Sequence, residues 1–154
     1  MTKQAGSLAK LRRVSPGDLI AIPLAPNVFG VGLVLHVSKT IRNAMMVGYL
    51  NVVIDSANDF NPTGLSCDFI ETPNYTGTRL VAPGRWQIIG HSQELLDEAA
   101  VPHLRWIDEL WFKDEVVRKL SPRQYEKYGP LEVSGGLLVE DSLREHFGIG
   151  QSPK

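Results

Sequence analysis

Residues 17–37, GDLIAIPLAPNVFGVGLVLHV, decide the fold class, because they read as strand, turn and strand with no catalytic motif among them. Ile20, Ile22 and Leu24 fall on one side of an extended segment, and Val31, Leu33, Leu35 and Val37 do the same on the next. This period of two marks strands that face a core. Pro26 and Asn27 supply turn chemistry between the runs, so a hairpin is expected, with Gly30 and Gly32 leaving room on its second strand for a bulge or a close neighbour. Gly30-Val31-Gly32 is not a nucleotide loop, since no third glycine and no helix follow.

Working outward, the whole chain of 154 residues is long enough to bury one core and carries no sign of two. A hydrophobic fraction of 43% beside a charged fraction of 21% is that of a globular domain, and fourteen glycines with ten prolines favour many turns over long helices. The expected class is α+β, mainly β: a curved antiparallel sheet or small barrel with two or three short helices packed outside. That domain is expected over 14–148, after a basic flexible start at 1–13 and before a frayed tail at 149–154. The single cysteine, Cys67, leaves no internal disulfide, and no run has the length of a signal peptide's apolar core or of a membrane span. A cytoplasmic protein with no membrane partner is the expectation.

Residues 43–58, apolar on both sides of an extended chain, predict a central strand. Residues 55–78 read as a long loop around a brief strand at Cys67–Ile70. The TRLVAP and RWQIIGH segments predict two further extended pieces. Ser92 reads as the cap of a short helix through SQELLDEAA. HLRWIDELWF, 103–112, fits a strand better than a helix. Ser121 with Pro122 opens a short helix that Gly129-Pro130 closes, and GGLLVEDSLREHFG gives another, with Leu138, Leu143 and Phe147 on one face and Gly148 as its stop.

Charge divides the chain. Residues 1–42 hold six bases, Lys3, Lys10, Arg12, Arg13, Lys39 and Arg42, against Asp18 alone; residues 43–115 hold eleven acids against four bases, with no base between Asn43 and Thr78. Acids that converge in space attract a basic partner, speed its association and repel nucleic acid. The chemistry of catalysis is thin by comparison. His36, His91, His103 and His146 share no metal-ligand spacing, so no metal and no cofactor are expected. Cys67 beside Ser66 and Asp68 lacks a hydrolase signature, and a lone cysteine is more often a small buried hydrophobe. Trp86, after Pro83-Gly84, reads as core, whereas Trp106 and Trp111 stand among Asp108, Glu109, Asp114 and Glu115, a mixture of aromatic anchors and acids suited to a basic surface.

GDLIAIPL, followed by a strand with GVGLVL, and later GRWQIIG leading through an acidic helix to VPHLRW, resemble the immunity protein 26 family of bacterial polymorphic toxin systems over residues 17–107. The resemblance implies a β-rich, barrel-like fold without enzymatic activity that binds and neutralises a cognate toxin in the bacterial cytoplasm. The expected partner is a basic protein toxin, a nuclease being the natural case, whose active site the acidic middle of the chain covers. Chosen by charge and loop placement, the candidate contacts are Asp55, Asp59, Asp68, Glu71, Glu94, Asp97, Glu98, Asp108 and Glu109. The alternative is a small nucleic-acid-binding barrel gripping phosphates with Lys3, Lys10, Arg12, Arg13, Lys39 and Arg42, against which stands an acidic pI near 6.4.

Overall fold

Alternating apolar side chains build the centre of the molecule. The computed structural model describes residues 13–58 and 60–150. In chain order its strands are β1 (Asp18–Ala25), β2 (Val28–Val37), β3 (Ala44–Ile54), β4 (Asn74–Gly77), β5 (Gln87–His91), β6 (His103–Trp106), β7 (Glu109–Phe112), β8 (Glu115–Lys119) and β9 (Val133–Ser134). Two α-helices, α1 (Gln93–Glu98) and α2 (Gly136–Phe147), and a 3-10 helix at Pro122–Lys127 complete the described elements. β1 and β2 form the expected hairpin, Leu19 opposite Leu33, with Asn27 of the turn at φ 61°. The main sheet runs β5-β1-β2-β3-β4-β9, antiparallel except that β9 lies parallel to β4; β6, β7 and β8 make a separate antiparallel sheet. The main sheet is open, with β5 and β9 as its edges, so of sheet and barrel the ladders make the sheet.

The two apolar sets of the first hairpin serve opposite faces of that sheet. Ile20, Ile22 and Leu24 join Val34, Met45, Val47 and Trp86 in a core covered by Val139 and Leu143 of α2. Leu19, Val31, Leu33 and Leu35 join Met46, Leu50 and Tyr75 in a second core covered by Leu95 of α1 and Leu104 of β6. The result is three layers: α2, the main sheet, and a third made of α1 with the small sheet. A central strand between two cores must be apolar throughout, and β3 is buried from Ala44 to Gly48. Val37 ends on the α2 side because the β2–β3 register slips between Val34 and His36. A second slip sits at Gly30–Gly32, where a Cβ on Gly32 would lie 2.7 Å from Val47 Cγ1.

Several expectations are corrected. Cys67–Ile70 is not a strand: Phe69 makes one isolated bridge to Leu50, and the strand comes later, as β4. Thr78–Pro83 is a run of turns, closed by Val81 N–H to Thr78 O at 3.1 Å and Gly84 N–H to Val81 O at 3.0 Å, because Val81 plugs the core from a turn. Residues 103–112 form two strands rather than one, folded at Ile107-Asp108. The helix after Ser121 is a single 3-10 segment with the Ser121–Gln124 capping box. Leu138 faces solvent, and α2 turns Val139, Glu140, Leu143 and Arg144 inward. Ile149, placed in the tail by sequence, packs on the α2-side core; residues 151–154 lie outside the described residues, as do Lys3, Lys10, Arg12 and Asp59.

The layers are tied by buried polar contacts. Glu140 of α2 is fully buried and receives Arg85 through both guanidinium arms, Nε at 2.8 Å and Nη2 at 2.6 Å, and Trp86 Nε1 at 2.9 Å. Such a two-pronged pair fixes orientation as well as charge. Asp114, in the β7–β8 turn, accepts from Ser38 Oγ at 2.7 Å and the Lys39 amide at 2.8 Å and pairs with His36 Nε2 at 3.0 Å. That cluster fastens the small sheet to the end of β2.

Candidate functional site

The β6–β7 hairpin ends in an apolar tip held in solvent. Trp106 pairs with Glu109 across the ladder, leaving Ile107 and Asp108 to close a two-residue turn. Glycine and asparagine suit the first loop position of such a turn, yet Ile107 occupies it at φ 57°. A β-branched side chain held in the left-handed region costs about 1–2 kcal/mol. The turn is held from behind: Arg105 Nη1 donates to Ile107 O at 2.8 Å, and its guanidinium lies 4.9 Å over the Tyr125 ring. At the tip Trp106 is 50% exposed and Ile107 68% exposed. Asp108 stands 3.8 Å from Lys119, and Glu109 accepts from Trp111 Nε1 at 3.3 Å. Strain and two large exposed hydrophobes at one turn make the tip a candidate contact surface.

Helix α1 adds carboxylates to the same layer. Ser92 Oγ accepts from the Leu95 amide at 3.1 Å, Leu95 anchors the helix in the core, and Glu94, Asp97 and Glu98 are left on the exposed side. Cys67 Sγ contacts Leu95 O at 3.0 Å and brings the 60s loop against α1, where the charge of Glu98 reaches the thiol; the exposed Asp68 follows Cys67 in the chain. Burial pushes that thiol up, and Glu98 pushes it further, the opposite of what a nucleophile needs. Among the described residues, Asp55, Asp68, Glu71, Glu94, Asp97 and Glu98 form no ion pair.

The candidates therefore separate. Glu94, Asp97 and Glu98 stand on α1, Asp68 follows the Cys67 that packs against that helix, and Asp108 and Glu109 stand on the small sheet in the same layer. Asp55 is exposed just beyond β3. Glu71 belongs elsewhere: it shares a cavity with Ser142, Glu145 and His146 of α2, and its charge helps burial raise the Tyr49 hydroxyl. Sequence reading missed the tip itself, because nothing in Trp106-Ile107-Asp108 signals a turn. It also missed that Arg79, counted among the acidic middle, stands with Arg42 in one cavity, with Arg13 in the next.

The histidines are dispersed, each with its own neighbour: His36 with Asp114, His91 Nδ1 3.1 Å from Asp18, His146 3.0 Å from Asn51 and His103 tilted against Phe112. No three His, Cys, Asp or Glu side chains converge as a metal site among the described residues. No described helix is long and apolar enough to cross a membrane. No family model, no curated protein and no solved structure matches the chain.

Proposed function

We propose that the chain is an immunity-type binding protein, which neutralises a basic toxin by seating the α1 and small-sheet layer over the toxin's active site. The observation that carries the reading is the β6–β7 tip, where a strained turn presents Trp106 and Ile107 beside Asp108 and Glu109. Exposed aromatic and aliphatic anchors supply most of the binding energy of a protein interface, and surrounding charges select the partner and speed encounter. Asp68, Glu94, Asp97 and Glu98, free of ion pairs among the described residues, are the steering charges. Carboxylates in this role stand in for the phosphates of a nuclease's substrate. The sequence resemblance over residues 17–107 supports the same reading.

Capture from the native host tests it. Tagged protein, washed at low and high salt with nuclease present, is expected to retain one basic protein near one-to-one, whose toxicity on expression is cancelled by co-expression of this chain. Recovery of nucleic acid in place of a protein, from a parallel sample without nuclease, would favour the alternative reading. Arg13, Arg42 and Arg79, which line two cavities that share Asn43, are the observation on that side.

A further inference from the structure

At the edge of the molecule where β9 ends, a cavity of about 410 Å³ opens between the β2–β3 turn and the start of α2. Its apolar walls are Leu80 and Val133, the latter 51% exposed, and the exposed Leu137 follows at the start of α2. Arg42 and Arg79 line it as well, and among the described residues no carboxylate does and neither arginine has an ion-pair partner. β9 is also an edge strand: β4 lies on one side of it and no described strand on the other. An open strand edge offers unpaired backbone groups to an added chain.

We infer that this groove takes an extended peptide segment of a partner protein, one with carboxylates beside apolar side chains. Charge complementarity selects it: a guanidinium fork matches a carboxylate, and two uncompensated arginines over apolar walls favour an anion carried on an apolar body. A nucleic acid would bring phosphates too, but among the described residues no aromatic side chain lines the groove for a base to stack on. Such a segment lies along Val133, adds main-chain hydrogen bonds to β9, and sets its acidic side chains toward Arg42 and Arg79. The residues that line this groove are none of those assigned to toxin binding, so the inference stands apart from that reading.

The test uses the full chain and a labelled, end-blocked octapeptide of alternating glutamate and valine, followed by fluorescence anisotropy. A lysine–valine octapeptide and a single-stranded oligothymidylate serve as competing probes. The acidic peptide is expected to bind, more weakly as salt rises, and Arg42→Glu with Arg79→Glu to weaken it at least about tenfold. Lys127→Glu, on the 3-10 helix, is expected to leave it unchanged, and circular dichroism confirms that each variant is folded. The inference is overturned if the acidic peptide binds no better than the basic one, if the double reversal leaves its affinity alone, or if the oligonucleotide is the probe that binds through the two arginines.

Discussion

Ile107 carries the clearest trade between stability and contact. At φ 57° its β-branched side chain is strained, and at 68% exposure it gains nothing from the core. Ile107→Asn is expected to raise stability by about 1 kcal/mol, roughly 2–4 °C in Tm, because asparagine tolerates the left-handed region. If the tip is a contact, the same variant weakens partner binding while it stabilises the fold. A thermal melt reads the first half, and an unchanged or lower Tm would remove the strain argument. Residue Glu140 shows a different asymmetry. Arg85→Ala leaves a fully buried carboxylate with only the Trp86 indole, and should cost about 2 kcal/mol, below the usual cost of a broken buried pair because Arg85 is itself half exposed. Glu140→Gln keeps the shape and an acceptor for Trp86 and should cost less. Urea midpoints in the reverse order would contradict that account.

Among the elements, the small sheet depends on the Asp114 cluster for its fastening to β2. Burial pushes the Asp114 carboxyl up, but the Lys39 amide, the Ser38 hydroxyl and His36 together outweigh it and hold the carboxyl below its ordinary 3.8. A depressed carboxyl stabilises the fold above its unfolded value, and the contribution is lost as the pH falls through the folded one. Asp114→Asn should therefore be less stable than the parent near neutral pH, with the gap closing below about pH 4. A constant gap across that range would show that the carboxylate charge is not what fastens the sheet. The Tyr75 hydroxyl, pushed up to about 12 by burial and by Asp114, donates to Lys113 O at 2.9 Å in the same junction and stays protonated throughout.

Legibility differed element by element for physical reasons. The β1–β2 hairpin announced itself because period-two alternation meets a Pro-Asn turn, and α2 because Gly148, at φ 69°, stops it where a glycine is needed. Residues 103–119 hid two hairpins, since both turns begin on residues that rarely adopt positive φ, Ile107 at 57° and Lys113 at 56°. Which face each apolar set served was not legible, because a sheet covered on both sides alternates like one covered on a single side, with polar positions simply missing. The exposed acids of α1 were readable from the Ser92 cap and the position of Leu95. The approach of the 60s loop to that helix was not, because it depends on a 28-residue contact from Cys67 to Leu95.

Across the whole molecule carboxylates collect around α1, the small sheet in the same layer carries both signs, Asp108, Glu109 and Glu115 with Lys113, Arg118 and Lys119, and Arg13, Arg42 and Arg79 line two cavities that share Asn43. With a net charge of −1 this distribution gives a directional field rather than a strong overall one. Exposed charges separated by more than about 8–10 Å are screened at physiological salt, so steering by the acidic layer is expected to be salt-sensitive in rate. The apolar tip should govern how long a complex lasts, and the carboxylates how fast it forms. The most direct test is the association rate with the captured partner, followed across salt concentration for the parent and for the triple variant Asp68→Lys, Glu94→Lys, Glu98→Lys. The account predicts a rate that falls steeply with salt in the parent and starts about tenfold lower or more in the variant at low salt, with the two converging as salt rises. Equal rates at low salt would mean that the partner is met by some other face, and the acidic layer would lose its role.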